Sequence, residues 1–243
     1  MKPLPSRVAI ECIDDAIVLG KRHFWPLLRL ALIPFLAYAG IALFLNGRLT
    51  PTGIRLLAGV VVYGLYGLLE AATAAGAWDV LHGRPIVFGA TWRLVSHHAL
   101  SVLVATWIRV ALILLGALLL IIPGIYFLAI YFAVPTVTVI EGLGVRASLL
   151  RSRSLALGAI WGIVLSMGGL WVLVLIMALV IPRILTQLGV PPFSALRPIC
   201  SLAWAAVIVP FRSALAARVY LEVRIRREGY DLQHMMASLP SAA

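Results

Sequence analysis

Charge is scarce in this chain. Only 12% of its 243 residues are Asp, Glu, Lys or Arg, about half the share that a soluble domain carries. Acid is the scarcer sign, with nine Asp and Glu against 20 Lys and Arg. So little polar surface cannot coat a water-soluble globule of this size, which argues against an ordinary soluble domain. Cysteine is nearly absent too. Cys12 and Cys200 fall on opposite sides of the membrane in the topology below, so they form no intrachain disulfide and act as small apolar fillers. Also missing are G-x-S-x-G, Walker and C-x-x-C patterns and any acid pair suited to glycoside hydrolysis. The expectation is no enzyme, no cofactor and no metal. His97 and His98 do not alter it, because neighbouring helical positions point about 100° apart, whereas two ligands on one face need i,i+4 spacing.

What the chain has is apolar sequence, 63% of its residues. A bilayer core about 30 Å thick needs roughly 20 apolar helical residues at 1.5 Å each. Six segments meet that length: Phe24 to Leu45, Gly53 to Trp78, Ala99 to Ile122, Gly124 to Ile140, Ala159 to Ile181 and Ile199 to Arg218. The expected fold is an all-α, polytopic membrane bundle: an amphipathic arm over 1–23, six spans within 24–218 and a basic tail over 219–243. Pro123 and Gly124 separate the third and fourth spans, so a proline stop and a glycine turn are expected there. Pro34 and Pro135 lie inside spans and are expected to kink them.

Basic residues set the orientation. Thirteen Lys and Arg fall in the N-terminal arm, the second and fourth connections and the tail, four on the opposite side and three inside spans. This bias puts both termini in the cytoplasm of an inner-membrane protein, and the net charge of +11 reflects cytoplasmic loops rather than nucleic-acid binding. Trp25, Trp78, Trp161 and Tyr220 fall at cytoplasmic helix ends, where interfacial aromatics belong. Acids at Glu11, Asp14 and Asp15 interrupt any signal-peptide core, so the N-terminus is expected to be retained.

Three basic segments, starting at Ala16, Ala90 and Ala147, each lead into a pair of spans. This order suggests three parallel copies of a surface helix plus hairpin. In the third segment Val145, Leu149, Ser152 and Ala156 share a helical face that suits the headgroup boundary, with Glu141 facing the positive N-terminus of that helix. Arg146, Arg151 and Arg153, and Arg224, Arg226 and Arg227 in the tail, are expected to contact anionic headgroups, at about 1 kcal/mol per residue. In the arm, Ala9, Cys12, Ile13, Ala16 and Ile17 share one face, which rests on the surface or on the bundle.

Charges inside spans stand out, since each costs roughly 2.5 to 3.5 kcal/mol at the bilayer centre on insertion scales. Counted from the cytoplasmic ends at the helix rise, Glu70 lies about 12 Å deep and Arg109 about 15 Å, so the two are expected to pair. The pair is either a structural clasp or part of a polar pathway. Arg29 and Arg212 lie shallower, where long side chains snorkel to the surface. Small residues in "LLEAATAAGAW", Leu68 to Trp78, let another helix of the same chain come close.

The stretches "IPGIYFLAIYFAVPTVTVIEGLG", "RASLLRSRSLALG" and "RVYLEVRIRREGYDL" resemble the membrane domain family of glycerophosphoryl diester phosphodiesterases. The resemblance rests on Pro123, Gly124, Pro135, Glu141, Gly142, Ala147, Arg151, Ser152 and Gly158, and in the tail on Tyr220, Arg224, Arg227, Glu228, Gly229 and Asp231. It covers roughly the C-terminal half. In fused family members hydrolysis belongs to a separate barrel, and a barrel of that type needs about 250 residues. The resemblance therefore implies a stand-alone membrane module without phosphodiesterase activity, and no catalytic residue carries over. The expected partners are membrane phospholipids and a membrane protein or a second copy of the chain. A small transporter or lipid-handling channel built on Glu70 and Arg109 is the alternative.

Overall fold

The computed structural model describes residues 6–45, 51–191, 194 and 196–229. Among the described residues the structure is helical, with no strand. The helices are α1 (Ser6–Arg22), α2 (Phe24–Leu45), α3 (Pro51–Leu81), α4 (Phe88–His97), α5 (Ala99–Leu119), α6 (Ile121–Ile130), α7 (Val134–Ile140), α8 (Val145–Ala156), α9 (Ile160–Gln187) and α10 (Leu196–Glu228). Helices satisfy their backbone polar groups internally, which suits a chain with so little polar surface. Among the described residues three segments are long and apolar enough to cross a membrane: α5, the α6–α7 pair (Ile121–Ile140) and α9. The other three segments expected to span fall on α2, α3 and α10. Helices α3 and α10, at 31 and 33 residues, are about 46 and 50 Å long, well over the thickness of a hydrocarbon core. The division between span and tail at 218/219 falls within α10, and 230–243 lie outside the described residues.

Helix α3 sits at the centre, packed against α2, α5, α7 and α10. Its small-residue stretch explains why. Ala71, Ala72, Ala74 and Ala77 have no exposed surface, and their short side chains let neighbouring helices of the same chain approach. The largest apolar cluster joins Cys12 of α1, Trp78 of α3, Leu155 of α8, Ile163 and Met167 of α9, and Tyr220 of α10. Two buried hydroxyls turn back on the preceding turn, Thr73 donating to the Leu69 carbonyl at 2.7 Å and Ser213 to that of Val209 at 2.7 Å, so they need no partner from another helix.

Helix α1 packs against α10 and α9 of the bundle. Ala9, Cys12 and Ala16 are buried, whereas Ile13 is half-buried and Ile17 exposed. Burial pushes the Cys12 thiol up to about 11, which keeps it protonated and poorly reactive.

The hairpin between α5 and α6 corrects the expected turn. The break is at Leu120, which is extended at φ −166° and ψ 158°. Pro123 lies in the first turn of α6, where its missing N–H leaves no gap in the helix. Gly124 serves proximity instead of the turn: a Cβ there would lie 3.0 Å from the Ala117 backbone. The expected kink at Pro135 is a break placed before it. Helix α6 ends at Ile130, and Pro135 sits in the first turn of α7, as proline prefers. Pro34 stays within α2.

Candidate functional site

Two polar clusters stand out from this apolar frame. The first lies between α3, α5 and α10. Tyr66 and Glu70 are one turn apart on α3 and so share a face. From α5, Arg109 donates to Glu70 Oε2 at 2.8 Å. From α10, Arg212 places Nη1 3.7 Å from Glu70 Oε1, donates to the Tyr66 hydroxyl and lays its guanidinium 4.3 Å from the Tyr66 ring centroid, a cation–π arrangement. Glu70, Arg109 and Arg212 are only 6%, 9% and 7% exposed.

The expected Glu70–Arg109 pair is therefore formed. The expectation for Arg212 is corrected, because its side chain is turned inward to Glu70 and does not snorkel; Arg29 is exposed. Close packing of α3 on α5 makes the pair possible: a Cβ on Gly67 would lie 2.3 Å from Thr106 Oγ1. The charges do not cancel. One carboxylate faces two guanidinium groups, and Arg109 Nε, Arg212 Nη2 and Thr106 Oγ1 are buried without a hydrogen-bond partner among the described residues. Each such atom carries a desolvation penalty of about 1–3 kcal/mol.

The second cluster gathers around Glu141. Gly142 adopts φ +64°, a left-handed conformation open to glycine. It ends α7 and lets the chain double back into α8. Glu141 is thus the residue that caps the C-terminal end of α7, and its carboxylate turns to side chains rather than to the N-terminus of α8. Arg151 Nε donates to Glu141 Oε2 at 2.8 Å, and Tyr220 donates to Glu141 Oε1 at 2.6 Å. Arg151 also grips both oxygens of Glu228, with Nη2 to Oε2 at 2.9 Å and Nη1 on Oε1. Arg224 Nε donates to Glu228 Oε2 at 3.2 Å. The ring of Trp78 packs 5.4 Å from that of Tyr220.

These contacts shift titrations in directions that fit the geometry. The hydrogen bonds from Arg151 hold the Glu228 carboxyl below the usual carboxylate range. Its bonds to Glu228 keep the Arg151 guanidinium charged despite partial burial. Burial, and then donation to Glu141, pushes the Tyr220 phenol up.

Four of the six arginines expected at headgroups have partners within the protein. Arg151 and Arg224 spend their donors on Glu141 and Glu228, Arg226 pairs with Glu222 at 2.6 Å and Arg227 donates to the Ser154 carbonyl at 2.6 Å. Only Arg146 and Arg153, of the six, are exposed without a carboxylate partner among the described residues. Helix α8 buries one face against the protein. That face carries Ser148, Ser152, Leu155 and Ala156, and Ser152 Oγ donates at 2.8 Å to the Ile130 carbonyl, left free where α6 ends. The four expected interfacial aromatics divide. Trp25 and Trp161 are 68% and 80% exposed, whereas Trp78 and Tyr220 are buried.

Glu141, Gly142, Arg151, Ser152, Tyr220, Arg224 and Glu228, singled out in the sequence, meet in or beside this second cluster, and Gly229 closes α10 next to it. Pro123, Gly124 and Pro135 shape the α5–α7 backbone, and Asp231 lies outside the described residues. Nothing local in the sequence points to Tyr66 or Arg212 as partners of Glu70; the excess of arginine over acid within the spans is a signal that could have found a shared acid. Comparison of the chain with protein-family models, curated proteins and solved structures finds no match.

Proposed function

We propose that this chain is a non-enzymatic, multi-pass module of the bacterial inner membrane, which binds phospholipid or organises a partner protein or a second copy of itself. In this reading six segments cross the bilayer with both termini in the cytoplasm, and α1, α4 and α8 each begin one of three repeated units of surface helix plus hairpin. The membrane-domain resemblance belongs to the same proposal. One observation carries it: the exterior of α5, α6 and α9 is apolar, with Leu118 84%, Ile122 79% and Leu179 67% exposed, while charged groups near the bundle are drawn into ion pairs. Water disfavours such an exterior at about 25 cal/mol per Å², and hydrocarbon accepts it.

The test is to express the full chain, wash the membranes at alkaline pH and map the termini and the α2–α3, α5–α6 and α9–α10 connections with reporter fusions. The reading expects carbonate-resistant membrane association, cytoplasmic reporters at both ends and periplasmic reporters at the three connections. A washed-off chain, or reporters on the opposite sides, contradicts it.

The transporter or channel reading draws support from the buried Glu70, Arg109 and Arg212. Charge exchange separates the two. A clasp expects that Glu70→Arg and Arg109→Glu each destabilise the fold and that the double variant recovers it, whereas a pathway expects folded single variants that have lost flux.

A further inference from the structure

The Glu70 site holds more positive charge than its own carboxylate neutralises. Arg109 and Arg212 reach it from different helices and bind different oxygens of Glu70. Held in this way, they keep Arg109 Nε and Arg212 Nη2 buried and unused, and the Thr106 hydroxyl on α5 is likewise unpartnered. A water molecule satisfies a donor but leaves the charge in place. An acceptor that also carries negative charge does both, and guanidinium groups match the oxygens of phosphate best of all.

We propose that the Glu70–Arg109–Arg212 site binds an anionic phosphate group, supplied either by a phospholipid headgroup or by a free phosphate ion. Glu70 then positions the two arginines, and Tyr66 steadies Arg212 from beneath its guanidinium plane. Tyr66, Arg109 and Arg212 extend the site beyond the Glu70–Arg109 pair and give it a ligand class. The inference rests on the reading of α3, α5 and α10 as membrane helices, since only an apolar surround makes the uncompensated charge seek an anion rather than bulk water.

The experiment uses the full chain, delipidated in an uncharged detergent. Its thermal unfolding is followed by tryptophan fluorescence against sodium phosphate, with sodium chloride at matched ionic strength as reference. In a second arm, phosphatidylglycerol or zwitterionic phosphatidylcholine is added to the micelles, and retained lipid is read by native mass spectrometry. A phosphate-specific rise in the unfolding midpoint identifies the free ion. Specific retention of phosphatidylglycerol together with a raised midpoint identifies the headgroup.

Either response should weaken by about tenfold or more in Arg212→Gln, as expected for loss of a charge-assisted contact, and persist in Arg212→Lys. Should Arg212→Gln not fold, Tyr66→Phe replaces it and is expected to weaken the response several-fold. The response should also persist in the double variant Arg146→Gln/Arg153→Gln, which removes exposed arginines as a competing anion-binding surface. The proposal is overturned if neither probe moves the native chain, if the response survives Arg212→Gln, or if it disappears with Arg146 and Arg153. A chain that resists carbonate extraction yet shows no response sinks the site alone; a chain that washes off sinks the membrane reading beneath it.

Discussion

The Glu141 and Glu70 clusters are built from the same three residue types, yet their charge balance differs. Around Glu141, two carboxylates meet two arginines and a tyrosine hydroxyl closes the ring. Around Glu70, one carboxylate meets two arginines, and donors on both remain unused. The first is also the wetter of the two, with Arg151 and Glu228 side chains 26% and 24% exposed against 10% and 8% for Arg109 and Glu70. A balanced, partly hydrated knot fastens α7, α8 and α10 and asks for nothing more. An unbalanced, dry one is unfinished by itself, which is why the ligand proposal attaches to it.

Variants can break this contrast, and the largest effect is expected at Glu70. Glu70→Ala leaves two buried guanidinium groups without a carboxylate and should lower stability by about 3–5 kcal/mol, read from thermal or denaturant unfolding in detergent. Gly67→Ala comes next, because the new Cβ collides with Thr106 Oγ1. Overpacking of this kind costs about 1–3 kcal/mol, and the double variant with Thr106→Ala should recover part of the loss. Glu141→Gln should cost about 1–3 kcal/mol, since it weakens the acceptor shared by Arg151 and Tyr220; in contrast to Glu70→Ala, it should leave any phosphate response intact.

The smallest effect is the pH dependence that the Glu141 cluster contributes. Glu228 is held below its ordinary value of 4.5, so its contribution is fully present above that value and fades as pH falls through the lowered one. Tyr220 acts in the opposite sense. Its pKa is raised from 10.0, so its contribution is present below that value and fades as pH rises toward the shifted one. Glu228→Gln should make the acid limb of the stability profile shallower, and Tyr220→Phe the alkaline limb, where the raised Cys12 thiol also contributes.

The apolar segments were legible because a helix that hides its backbone polar groups leaves a length signature in sequence. The Glu70–Arg109 pair was legible for a related reason: residue counting along two helices placed both charges at similar depth. The same counting failed for Arg212, since it started from Arg218 as a helix end, whereas α10 continues to Glu228. The Glu141 cluster was not legible as a unit. Its members join residues 77 and 79 positions apart, and spacing in one sequence carries no record of such pairs. Basic segments read as membrane surface throughout, yet of their six arginines Arg151 and Arg224 turn to Glu141 and Glu228, Arg226 pairs with Glu222 along its own helix and Arg227 meets the Ser154 carbonyl. At the α5–α6 hairpin, Pro123 and Gly124 marked the neighbourhood of the turn, but proline's preference for a first helical turn moved the break to Leu120.

The most direct test sets Arg212→Gln beside Arg151→Gln in the delipidated full chain, with unfolding midpoints recorded with and without phosphate or phosphatidylglycerol. The account predicts opposite outcomes. Arg151→Gln, which leaves the carboxylates of the balanced knot short of a partner, should lower the midpoint and keep the anion response; Arg212→Gln, which brings the Glu70 site to neutrality, should keep most of the midpoint and lose the response. Identical behaviour of the two variants would contradict the distinction between a finished knot and a site that awaits an anion.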